Sequence, residues 1–274
     1  MKTNNLWLHR YAIFVAFCAL VAIAAGAVVT SLLRPIAGPL AAGPPAVIQS
    51  TQFWHTIAGG LAVVLILVLA IRLRTQLGWI GLAAGIIDAA LGFTGQTLAE
   101  ILHALIAQIL FGLIVAAAVT TSDSWKRGPQ PIDDTWRPSL RSLAVAVPAI
   151  ILLQTTLGAS YRYRALGVIW HILNAMIVLL AILIVAVFLI RQFPEHPTLR
   201  PAAIALAVIT SIQVMLGFTT FMMLILFPET SLAVIITSVL HVTTGSLTFG
   251  AGMALSILIR YNIRAGTPSQ ILVS

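Results

Sequence analysis

Eight runs of about 20 predominantly apolar residues, each long enough for a helix to cross a bilayer, take up about two-thirds of this 274-residue chain. They lie near 11–33, 53–71, 77–95, 98–119, 140–160, 166–190, 201–227 and 231–259. A chain of this kind has few options. In lipid every main-chain polar group needs an internal partner, so each run predicts a helix. The expected fold class is therefore an all-α membrane protein with eight transmembrane helices. The longest connections, 34–52 and 120–139, are too short for a soluble domain. Only 8% of residues are charged and 60% are hydrophobic. That balance excludes a soluble globular enzyme, a disordered chain and a water-soluble nucleic-acid binder. The first run is longer than a signal-peptide core and reads as a membrane helix.

The formal net charge of +8 resembles a nucleic-acid signature until the basic residues are placed. With eight spans, one side carries Lys2, Arg10, Arg72, Arg74, Lys126, Arg127, Arg137, Arg141, Arg191, Arg200, Arg260 and Arg264. The other carries Arg34, Arg162 and Arg164. Positive residues favour the cytoplasmic side, so both termini are expected there. The basic excess is an orientation signal, and nucleic acid is not needed to explain it. The one cysteine, Cys18, sits in an apolar run and excludes a disulfide or Cys-based metal site within the chain.

The two halves echo one another. Asp88-Ala89-Ala90-Leu91-Gly92, Gln154-Thr155-Thr156-Leu157-Gly158 and Gln213-Val214-Met215-Leu216-Gly217 each place a polar residue ahead of Leu-Gly. The first run keeps only a small-residue stretch ending at Gly26. Each even run answers with one histidine: His55, His103, His171 and His241. The chain thus reads as two repeated four-helix bundles, 1–120 and 140–274, joined by a cytoplasmic linker at 121–139. The glycines admit either close helix packing or a flat ligand.

Ionisable residues inside a membrane are costly and point to function. Counted along the even runs, all four histidines fall towards the outer face. His55 and His103 can face each other at one depth, and so can His171 and His241. Two opposed imidazoles in a four-helix bundle suit axial ligation of a haem iron. Zinc fits less well, because it prefers four ligands and no Cys or acidic cluster completes a set. Arg162 and Arg164 are candidates to pair with haem propionates, or are ordinary interfacial anchors. Arg34 reads as an anchor. His9 and His196 fall in cytoplasmic segments and carry no ligand role.

Eight spans, two four-helix halves and one histidine per even helix resemble the haem A synthase family of cytochrome oxidase assembly factors. The resemblance extends over essentially the whole chain. Gln-x-x-Leu-Gly at 154–158 and 213–217 and the His171/His241 pair are its specific parts. It implies that His171 and His241 hold a haem b cofactor, while His55 and His103 hold the substrate, haem O. It implies oxidation of a porphyrin methyl group to the formyl group of haem A. It further implies a bacterial-type cytoplasmic membrane, haem sites towards the outer side, and haem O synthase and oxidase assembly proteins as partners.

The chain departs from the family at one point of chemistry. The family's Glu-x-x-His-Arg on the second helix reads Gln52-Phe53-Trp54-His55-Thr56 here. An amide cannot take up a proton as a carboxylate does. Gln52 stays in the expected substrate-haem site without that role. Glu100, three residues before His103, and Asp88 are the candidates to supply the missing carboxylate. Glu100 also suits a helix N-terminus, and Asp88 also suits the slot filled by Gln154 and Gln213. Two functions remain in play: the enzyme, and a non-catalytic di-haem b cytochrome or haem carrier of the same fold. A repeat-built transporter ranks below both, because its helices are usually broken at midplane.

Overall fold

The computed structural model describes residues 6–33, 46–134 and 139–265 of the chain, with side chains up to Ile263. Arg34 and the prolines of the first long connection therefore lie outside the described residues, as do Lys2 and Arg137. The helices are α1 (Leu6–Leu33), α2 (Ala46–Leu73), α3 (Gln76–Leu91), α4 (Thr97–Thr120), the single turn α5 (Asp123–Lys126), α6 (Leu140–Arg162), α7 (Val168–Gln192), α8 (Leu199–Leu226) and α9 (Leu232–Asn262). Among the described residues, seven of these are long and apolar enough to cross a membrane. Between 17% and 44% of each apolar stretch is buried, so most of each stretch is not fully covered by the rest of the protein. Exposed Phe17, Met176 and Phe218 would be an aggregation liability in water. They suit a multi-pass membrane protein in lipid.

Two helices differ in their bounds from the expected runs. The run near 77–95 forms a helix of only 16 residues, ending at Leu91. At 1.5 Å per residue that is about 24 Å, short of a hydrocarbon core of about 30 Å. The cause is local. Gly92 closes the helix with its N–H on the Ala90 and Asp88 carbonyls, and Gly95 follows with φ of 66°. The second difference is that α2 starts at Ala46, two turns ahead of the apolar run at 53. The all-helical expectation also gains a short parallel ladder, Ile132–Asp134 (β1) on Ile263–Ala265 (β2), which ties the linker to the end of α9.

In the first half α1 packs on α2, α2 on α3, α3 on α4, and α4 back on α1. Helices α6, α7, α8 and α9 close a second ring in the same order. The histidine helices are diagonal in each ring. Between α2 and α3 the chain turns through Arg74 in the left-handed region, at φ 52°. Gly78 lets α3 approach α2 there, since a Cβ on it would stand 2.9 Å from the Ala70 Cα.

The two halves meet where α1 and α4 pack on α9 and α4 packs on α6. A Cβ on Gly250 would stand 2.7 Å from the Phe111 ring, and a Cβ on Gly112 2.7 Å from the Phe249 ring. Each Phe-Gly pair thus receives the other's ring. One turn away, the Gln108 amide donates to Ser246 Oγ at 2.9 Å, both side chains being buried. Gln108, Phe111 and Gly112 have the same spacing as Ser246, Phe249 and Gly250, and both sets start five residues after a histidine. This interlock escaped the sequence reading, because two Phe-Gly pairs in apolar runs look like ordinary core.

Candidate functional site

The site is built from four histidines and the glycines they lean on. His55 and His103 face one another with ring centroids 6.0 Å apart and planes at 77°. His171 and His241 do the same at 6.1 Å and 88°. Both expected pairs are therefore brought together.

Each ring lies against a glycine of the preceding helix. A Cβ on Gly26, Gly158 or Gly217 would fall 2.9 Å from Cε1 of His55, His171 or His241, and one on Gly92 would fall 3.4 Å from Cε1 of His103. The residue four before each glycine supplies an acceptor. His55 Nδ1 donates to the Ala22 carbonyl at 3.1 Å, His103 to Asp88 at 2.9 Å and His171 to Gln154 at 3.2 Å. His241 interacts with the Gln213 main chain, although its Nδ1 does not complete a hydrogen bond.

This geometry explains the repeated motif. Residues i and i+4 share one helix face. A missing Cβ at i+4 lets the imidazole reach the second lone pair of carbonyl i. The main chain of the polar residue is thus the common element. Helix α1 has it too, at Ala22 and Gly26, which the search for a polar residue missed. A carbonyl only accepts, so at His55 and His103 Nδ1 carries the proton and Nε2 is the nitrogen left for a metal.

Side chains add to this frame. Asp88 Oδ1 lies 2.9 Å from His103 Nδ1, an ion-pair distance, while the ring's hydrogen bond goes to the Asp88 carbonyl. Gln154 Nε2 donates to the His171 carbonyl at 2.9 Å and lies 3.0 and 3.3 Å from the two ring nitrogens. Asn174, buried one turn after His171, holds Gln154 Oε1 at 2.8 Å. Asn174 was missed, although its i+3 spacing from His171 was the available signal.

The remaining candidates sort by position. Gln52 is exposed on α2. Glu100 lies in the first turn of α4, half-buried and hydrogen-bonded to Tyr163. Tyr163, just past the end of α6, is also hydrogen-bonded to Thr30. Burial, then the Glu100 charge, pushes its phenol up to about 12, so it remains a donor at neutral pH. Arg162 Nη2 donates to the Ala27 carbonyl and to Ser31 Oγ, both at 2.6 Å. Arg164 pairs with Glu229 at 3.5 Å. His9 and His196 lie away from the pairs. His9 Nδ1 bonds the Ala118 carbonyl, and His196 sits ahead of α8.

The pairs can be tested for a metal ion by size. Bonds of about 2 Å from one ion to one nitrogen of each imidazole need ring centroids roughly 6 Å apart. Both pairs meet that spacing. Compared with protein-family models and with curated proteins, the chain matches none.

Proposed function

We propose that the chain is a membrane haem protein of the haem A synthase type. In this reading α3 completes eight spans, the two rings are repeated four-helix bundles, and both termini are cytoplasmic. His171 and His241 hold haem b in the second half. His55 and His103 hold haem O in the first, for oxidation of its methyl group to the formyl group of haem A. The observation that carries the reading is the recurring arrangement of imidazole, glycine and carbonyl. It seats four rings on glycines and, at His55 and His103, puts the proton on Nδ1 and leaves Nε2 for iron, as is usual for metal-bound histidine. Bound haem would supply a redox-active iron between the rings of each pair.

The chain's own residues have distinct tasks. Asp88 is spent on His103, so Glu100 is the carboxylate left for proton uptake at the first pair. Tyr163 and the start of α4 hold it in place. Gln52 lines the outer end of α2 and has no proton role. Arg162, bonded to the end of α1, and Arg164, paired with Glu229, are the guanidinium groups that could meet haem carboxylates. The proposed setting is a bacterial-type cytoplasmic membrane, with haem O synthase and oxidase assembly proteins as partners.

A second reading is a di-haem b cytochrome or haem carrier of the same fold. The amide at position 52, in place of the family's glutamate, favours it. One experiment separates the two. The full chain is expressed in cells lacking haem A synthase, purified, and its haems are extracted. Haem O, haem A or a hydroxylated intermediate beside haem b supports the enzyme. Haem b alone, without restored haem A, selects the cytochrome. A haem-free protein with intact helices defeats both.

A further inference from the structure

The two histidine pairs share a frame but not an electrostatic setting. Behind His103 stand two oxygens of one residue, the Asp88 carbonyl and Asp88 Oδ1, each 2.9 Å from Nδ1. The Asp88 side chain is only 15% exposed, so water screens its charge poorly. Glu100, a turn before His103, is close enough for its charge to act on both His55 and His103. The second pair has no counterpart to this in sequence. The positions equivalent to Asp88 are Gln154 and Gln213, both neutral amides. Besides its partner ring His171, the charge that acts on His241 is the Arg162 guanidinium. One pair is therefore set among carboxylates, and the other among amides with a cation nearby.

A carboxylate behind Nδ1 raises the donor strength of the opposite nitrogen. Local net charge and hydrogen bonding to the ligands are what set the potential of a bound iron. Negative charge favours the oxidised metal, and positive charge favours the reduced one. In a poorly screened interior these effects are large.

We infer that Asp88 is a tuning residue that holds the His55/His103 iron site at a lower reduction potential than the His171/His241 site. The inference rests on the reading that both pairs ligate haem, and adds the residue that sets their order in potential. Asp88 touches no reacting atom and acts through His103.

The test is a redox titration of the full-length, haem-loaded protein in detergent, followed optically and by electron paramagnetic resonance. His171→Ala leaves only the first site loaded and so assigns the two midpoints. The parent protein is expected to show two, the lower belonging to the first half. Asp88→Asn should raise the lower midpoint and leave the upper one in place. The equilibrium constant for electron transfer between the sites should fall about tenfold or more, the worth of a hydrogen bond to a charged group. Gln154→Glu, which places a carboxylate behind His171, should lower the upper midpoint. It serves as the independent variant if Asp88→Asn does not fold. Unchanged midpoints in both variants, with the bis-imidazole low-spin signal retained, overturn the inference. So does a first-half midpoint above that of the second. Absence of any bis-imidazole signal from the first half instead removes the haem reading, and the inference falls with it.

Discussion

At the residue scale, the site depends on four positions where a hydrogen stands in place of a methyl group. A Cβ at Gly217 would meet His241 Cε1 at 2.9 Å, and real Cβ contacts are not that short. The ring would have to swing off the axis that directs Nε2. Gly217→Ala is therefore expected to cost about 1–3 kcal/mol, as overpacking does, and to lower haem b content sharply. Haem extraction and the absorbance spectrum of the purified variant measure this. Gly60→Ala is the control, because a Cβ there meets nothing within 4 Å. It should keep full haem content and hold or raise the melting temperature, since alanine favours helix. The histidines were legible from the sequence because a polar residue in an apolar run stands out. Ala22 was not, because its part is played by the main chain and every residue has one.

At the element scale, α4 and α9 interlock where the halves join, beside the contact of α1 with α9. Phe111 lies over Gly250, and Phe249 over Gly112. Gly250→Ala should destabilise the protein by about 1–3 kcal/mol. Adding Phe111→Ala should recover part of that loss, because the two residues share one space. Melting temperatures of the single and double variants in one detergent check both statements. A second join is polar and lies at the end of the molecule with α5. His196 Nδ1 accepts from the Thr198 and Leu199 main-chain N–H groups at 3.3 and 3.2 Å, and Nε2 donates to the Gln130 carbonyl at 3.4 Å.

Burial lowers the His196 pKa below its usual value. The folded state then prefers the neutral ring, and its contribution is complete above about pH 6.5. It is lost as pH falls below that value, because the unfolded chain takes up the proton first. Amide exchange at Leu199, corrected for its intrinsic pH dependence, should therefore quicken as pH falls below about 6.5. His196→Asn, which keeps a cap acceptor but cannot titrate, should abolish the change. No reading of apolar runs would find this contact, since His196 and Gln130 are 66 residues apart.

For the whole molecule, apolar surface and charge placement make a prediction about sides. The α6–α7 connection should be outside and the α7–α8 connection inside. Cys18 is the single cysteine, so Cys18→Ala gives a clean background for labelling. A membrane-impermeant thiol reagent should label Ala165→Cys in intact cells. It should label Glu195→Cys only after permeabilisation. Both positions are exposed. The reverse pattern would invert the proposed orientation and move the histidine pairs to the cytoplasmic side. The same experiment at Gly95, between α3 and α4, tests whether the short α3 crosses the membrane.

The sequence by itself determined that the chain is helical and membrane-embedded, because apolar runs of that length leave the main chain no other way to satisfy its polar groups. It also singled out His55, His103, His171 and His241, since charge and polarity are rare enough there to be counted one by one. Only the tertiary structure decided what each histidine leans on. A hydrogen bond to a carbonyl on the next helix depends on register and helix spacing, and neither is written in composition or periodicity. The separation of Asp88 from Glu100 came the same way. The two carboxylates were equal candidates in one dimension. Asp88 Oδ1 proved to lie 2.9 Å from His103, while Glu100 is hydrogen-bonded to Tyr163 from the other half. Packing set that difference: Asp88 meets His103 across consecutive helices, while Glu100 meets Tyr163 from the other half.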